Sequence, residues 1–146
     1  MLEIEAYSFE KMLKEKGYLV FTNVGTSMLP LLRERRDIIE IRPVNGRIKK
    51  YDVALYKRGN MYVLHRCLGS LSNGNYIFAG DNNYGREYDV TDEMILGVMS
   101  AVIRNGKNLS ISDWRYKAYY HIWCDCYPVP VFIMHLVLKV RRVSVG

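Results

Sequence analysis

The chain reads as a mainly β domain, a coiled antiparallel sheet or barrel with an N-terminal helix and a helical C-terminal tail. Three features predict this. The β-prone runs between residues 18 and 112 are short. Turn signals separate them roughly every eight to twelve residues, as in barrels and sandwiches. Helical periodicity marks residues 2–16, and from residue 114 onward the chain changes to an aromatic, then apolar tail.

Residues 2–16 form the expected helix. Leu2, Ala6, Phe9 and Leu13 recur at helical spacing beside Met12, and Gly17 stops the run. A strand is expected at 18–21, then the segment Gly25-Thr26-Ser27-Met28-Leu29-Pro30 and a polar turn at 33–37. The next strand covers 38–41, Pro43 ends it, and Asn45-Gly46 turns the chain. Residues 52–56 and 61–68 make a hairpin through Arg58-Gly59-Asn60. A turn at 72–75 leads to a strand at 76–79, and a polar loop is expected over 80–91. The apolar run 94–104 carries Gly97, a bend or bulge signal. Asn105-Gly106 turns it toward a short partner at 109–111. No linker or repeat divides the chain, so 146 residues are expected to form one domain: helix 1–17, β core 18–112 and aromatic, apolar tail 113–146.

Composition narrows the class. With 49% hydrophobic and 25% charged residues the chain suits a packed globule rather than a disordered one. The net charge of +6 admits an anionic partner but does not single out nucleic acid, and none is assigned. Three cysteines make no closed disulfide framework, which points to reduced thiols. The N-terminus lacks a signal-peptide core, and no run of about 18 apolar residues occurs. A cytoplasmic protein is expected, with residues 128–142 either packed on the sheet or lying on a membrane surface.

Chemistry concentrates in three stretches. Ser27 lies between Gly25 and Pro30, which permit close backbone approach and fix the exit direction. A serine hydroxyl needs an adjacent base to act as a nucleophile. His65 supplies an imidazole in an otherwise apolar strand, on the face shared by Val63 and Cys67, and is neutral enough near pH 7 to accept a proton. Gly80-Asp81-Asn82-Asn83 offers a carboxylate in a turn, with Glu87, Asp89 and Asp92 close behind, so spacing leaves the orienting acid open. This chemistry requires no cofactor and no metal. Two other readings use the same chain. His121, Cys124, Cys126 and His135, with Cys67 more distant, are zinc-ligand types in a regulatory protein. A β domain that grips a peptide without cutting it is the other.

Gly-x-Ser-Met-x-Pro at 25–30, the Asp-hydrophobic run at 37–41, Tyr-Asp-Val at 51–53, His65-Arg66 and Gly-Asp-Asn-Asn at 80–83 occur here in one order. Together they resemble the signal peptidase I superfamily, which includes the self-cleaving SOS-repressor peptidases. The resemblance spans residues 18–104. It implies a coiled β-sheet peptidase fold of the signal peptidase–repressor type and a substrate bound as an added strand. It also implies a serine endopeptidase acting on a leader or signal-like segment. His65 in place of a lysine base resembles the Ser/His subgroup of endoplasmic-reticulum and sporulation-type signal peptidases. On this resemblance Ser27 is the nucleophile and His65 the base. Asp81 matches the first Asp of the turn, with Glu87 or Asp89 as candidates for the third role. Gly25, Met28 and Pro30 fall at the substrate and oxyanion side.

Overall fold

The computed structural model describes residues 3–144, and the side chains from residue 9 onward. Helix α1 (Glu3–Lys16) leads into strands β1 (Leu19–Thr22), β2 (Ile38–Arg42), β3 (Val53–Arg58), β4 (Met61–Ser70), β5 (Tyr76–Ala79), β6 (Glu87–Val90), β7 (Ile95–Arg104) and β8 (Lys107–Ser110). Helices α2 (Trp114–Asp125) and α3 (Val129–Ser144) end the chain. The Leu2 and Ala6 side chains of the expected apolar stripe lie outside those described.

The strands form an 8-stranded antiparallel sheet in the order β1-β2-β7-β3-β4-β5-β6, with β8 on β7. It is mainly β as expected, but it is not closed into a barrel. The outer strands β1 and β6 do not pair. The loop expected over 80–91 also contains strand β6. Its Glu-Tyr-Asp-Val sequence reads as polar loop, and pairing with β5 (Tyr76↔Val90, Phe78↔Glu87) supplies the order that local propensity does not.

Each face of the sheet has its own core. On one, Leu19, Ile39, Ile41, Leu55 and Leu64 pack with Met28 and Leu32 of the serine loop and Leu13 of α1. On the other, Ala54, Tyr56, Cys67, Tyr76 and Phe78 pack together. The β3–β4 ladder pairs Ala54↔His65 and Tyr56↔Val63, so His65 and Val63 share a face as alternation predicts. Gly97 sits where the β3–β7 ladder shifts register. A Cβ there would stand 2.6 Å from the Arg42 carbonyl, so only glycine admits this approach.

The aromatic tail covers one buried ion pair. Arg66 is fully buried and bidentate to Asp81, at 2.7 and 2.8 Å. Tyr119 of α2 donates to the same carboxylate at 2.7 Å, and Trp123 donates to the Asp81 carbonyl. Tyr116, Tyr119 and Tyr120 place rings over the guanidinium. Asp113 caps α2 through the Arg115 N–H. The helical tail agrees with the expectation.

Candidate active site

Ser27 is held by its backbone. The Asn82 N–H donates to the Ser27 carbonyl at 2.8 Å, and the Asn82 side chain donates to the Thr26 carbonyl at 3.0 Å. Gly80 packs so closely that a Cβ would stand 2.5 Å from the Ser27 carbonyl oxygen. On the loop's other flank the Gly25 N–H donates to Glu34 at 2.9 Å, with Gly25 at φ +96°. The Gly-Asp-Asn-Asn turn therefore serves as a cradle for the serine loop. Among the described residues the Ser27 N–H donates to no protein acceptor.

The loop's exit is fastened by the buried Asp37. Arg104 and Arg33 donate to its carboxylate, and Arg104 also donates to the Leu31 carbonyl at 2.6 Å. Burial alone would raise the Asp37 carboxyl. The hydrogen bonds from Arg104 and Arg33 outweigh it and hold the pKa at about 2.

Ser27 and His65 line one cleft of about 700 Å³. Its walls are β1 and the first half of β4, where β5 does not pair because it joins β4 only from Arg66 onward. Leu19, Phe21, Tyr62 and Leu64 supply apolar lining, and Phe9 and Met12 of α1 close one end. Phe9 stacks on Phe21 at 5.4 Å and meets Tyr62 edge-on at 5.3 Å, bridging both walls. Among the described residues no hydrogen bond joins the Ser27 hydroxyl to His65.

His65 is half-buried, and its Nδ1 faces two oxygens: the Tyr56 hydroxyl at 3.2 Å and Glu87 Oε1 at 3.3 Å. Tyr56 donates its own proton to Glu87 Oε2 at 2.9 Å. A carboxylate only accepts, so that proton is committed and the Tyr56 oxygen is left to accept from His65. The network therefore favours the proton on Nδ1 and leaves Nε2 as the bare base. Arg58 bonds Glu87 at 2.7 Å and Asp89 at 2.8 and 2.9 Å, holding β6 against the hairpin. Burial lowers the His65 pKa below its ordinary value, and the Glu87 charge opposes that fall without reversing it.

Of the three candidate acids, Glu87 meets the histidine. Asp81 is spent on Arg66, and Asp89 is one step out, on Arg58. The Met28 side chain is fully buried in the core, so it anchors the loop and lines no cleft. Pro30, after a cis peptide bond, opens onto a separate cavity beside Leu31 and Met99. Tyr56 and Arg58 escaped the sequence reading. The hairpin register could have found Tyr56, because Tyr56↔Val63 puts it one ladder step from Ala54↔His65 on the same face. The zinc-type residues are dispersed: Cys67 is buried, His121 faces Asp125 at 2.9 Å, and His135 bonds Asn82. Among the described residues no three His, Cys, Asp or Glu side chains form a metal-binding group. A scan against protein-family models finds no match to the chain, and neither does a search of curated proteins.

Proposed function

We propose that this chain is a serine endopeptidase of the signal peptidase and repressor-peptidase kind, with Ser27 as nucleophile and His65 as general base. The observation that carries the reading is the cleft shared by Ser27 and His65, with Nδ1 of the imidazole committed to Tyr56 and Glu87. Glu87 takes the orienting role that the turn motif suggested for Asp81. An extended peptide would lie between β1 and the first half of β4 as an added strand, its apolar side chains against Leu19, Phe21 and Leu64.

In this reaction Ser27 Oγ attacks the scissile carbonyl carbon and its proton passes to His65 Nε2. The Ser27 N–H, which has no protein acceptor among the described residues, is the donor available to the developing oxyanion. The intermediate collapses to an acyl-serine ester, and the leaving amine takes the proton from His65. Water then attacks the ester, His65 accepts its proton and returns it to Ser27 Oγ, and the acid product leaves. The substrate strand must bring Ser27 and His65 into hydrogen-bond contact, since the free protein lacks that bond.

The absence of that bond favours a second reading, a β domain that binds a peptide without cleaving it. Labelling by a fluorophosphonate, with wild type, Ser27→Ala and His65→Ala compared, separates the two. A peptidase labels at Ser27, and each substitution lowers the rate by at least about a thousandfold. Equal labelling of all three proteins, or none, removes the peptidase assignment.

A further inference from the structure

Helix α3 presents an apolar face to solvent. Phe132, Ile133, Leu136, Val137, Val140 and Val143 all point outward, each between 44% and 75% exposed. From residue 129 to residue 138 the one polar side chain is His135, and it turns inward to Asn82 at 2.6 Å. Val131 is buried beside it. The helix is thus fixed on the protein by one face while the opposite face lacks the charges that a solvated helix carries.

We propose that this outward face docks on an anionic lipid surface. Charge selects that occupant. Lys139, Arg141 and Arg142 are exposed at the end of the stripe, and residues 126–144 contain no Asp or Glu. A second copy packed helix to helix would bring three more cations and no acid to meet them. A bilayer rich in anionic headgroups offers both an apolar interior and the opposite charge. The whole chain, at +6, is drawn the same way.

Geometry selects lying over spanning. The 16 residues of α3 reach about 24 Å, short of the roughly 30 Å hydrocarbon core. No single helix among the described residues is long and apolar enough to cross a membrane; α2 and α3 reach that length and hydropathy only as a pair, and the pair is bent by 97° at its break. The helix therefore rests in the headgroup plane with its apolar face down and its cations among the phosphates. Its inner face reaches the serine loop in two steps, from His135 to Asn82 and from Asn82 to the Ser27 carbonyl.

The test is flotation of the full chain with vesicles of phosphatidylcholine plus phosphatidylglycerol, compared with phosphatidylcholine alone. Wild type floats with the anionic vesicles and is released by high salt. Lys139→Gln/Arg141→Gln/Arg142→Gln lowers the partition coefficient about a hundredfold, and Phe132→Ser/Leu136→Ser abolishes flotation. These side chains are exposed, and circular dichroism establishes that each variant keeps its fold. Failure of wild type to float overturns the proposal. So does flotation that neither variant weakens, or a stable dimer that Phe132→Ser/Leu136→Ser dissociates. None of these measurements depends on peptidase activity.

Discussion

The Glu87 carboxylate stands 3.3 Å from Nδ1 of His65. Asp81, whose turn sequence first suggested the orienting acid, instead neutralises the buried Arg66. The two carboxylates have separable jobs, one on the base and one in the scaffold. Replacing each should produce a different kind of defect.

Glu87→Gln should lower the rate of serine labelling roughly a hundredfold while the fold persists, because the imidazole loses the charge that aligns it. The pH profile gives the sharper readout. The proposed mechanism needs neutral His65, so labelling should rise through the His65 pKa. Burial lowers that pKa and Glu87 raises it. Removing the carboxylate therefore moves the acid limb to lower pH. A limb that stays in place, or moves up, would remove Glu87 from contact with the base.

Asp81→Asn should act mainly on stability. Arg66 and Asp81 are both buried, and Asp81 is the bidentate partner that satisfies the guanidinium. Breaking a buried pair costs about 3–5 kcal/mol because the remaining charge stays desolvated. Urea unfolding measures this directly. The acid limb of labelling should move less than in Glu87→Gln, since Glu87 acts on His65 more strongly than Asp81 does. A full-sized limb shift with unchanged unfolding would reverse the two roles.

The hairpin, the strand alternation and the N-terminal helix could be read from periodicity and turn residues, because both signals are local. Strand β6 could not. Glu87 and Asp89 look like loop residues, and only the ladder to β5 makes them a strand. That return brings Glu87 back toward His65 and Tyr56, so spacing along the chain leaves Asp81, Glu87 and Asp89 open while proximity in space belongs to Glu87. Met28 differs for a similar reason. The resemblance puts it on the substrate side, but it packs in the core with side chains of α1, β1 and β2. Tyr56 was within reach, since the turn at Arg58-Gly59-Asn60 fixes the register that aligns it with His65. The clasp of α2 on Asp81 depends on aromatic side chains meeting across 38 and 42 residues, which no local pattern encodes.

Acid should weaken the fold through Asp37. Burial raises its pKa, but hydrogen bonds from Arg104 and Arg33 prevail and depress it to about 2. The group is lower in the folded state than in the unfolded one. Its stabilisation is therefore present above about pH 4 and lost as pH falls toward 2, by up to about 2.5 kcal/mol. The unfolding free energies of wild type and Asp37→Asn should converge by that amount between about pH 5 and pH 1. A difference that does not change with pH would show that the arginines do not depress Asp37.

Gly80→Ala should injure the site more than the fold. The added methyl would meet the Ser27 carbonyl oxygen at 2.5 Å and the Asn83 side chain at 2.8 Å, so the cradle must draw back from the serine loop. The Asn82 N–H bond to the Ser27 carbonyl, now 2.8 Å, would lengthen with it. Overpacking of this kind costs about 1–3 kcal/mol, whereas misplacing a nucleophile by about 1 Å can cost a hundredfold in rate. Gly85→Ala is the control, because its Cβ meets nothing within 4 Å and its backbone is not left-handed. The expected result is at least a tenfold loss of labelling rate in Gly80→Ala, with thermal unfolding only modestly lowered and Gly85→Ala unchanged in both. If Gly80→Ala labels as fast as wild type, Ser27 is not held in place by the Gly-Asp-Asn-Asn turn.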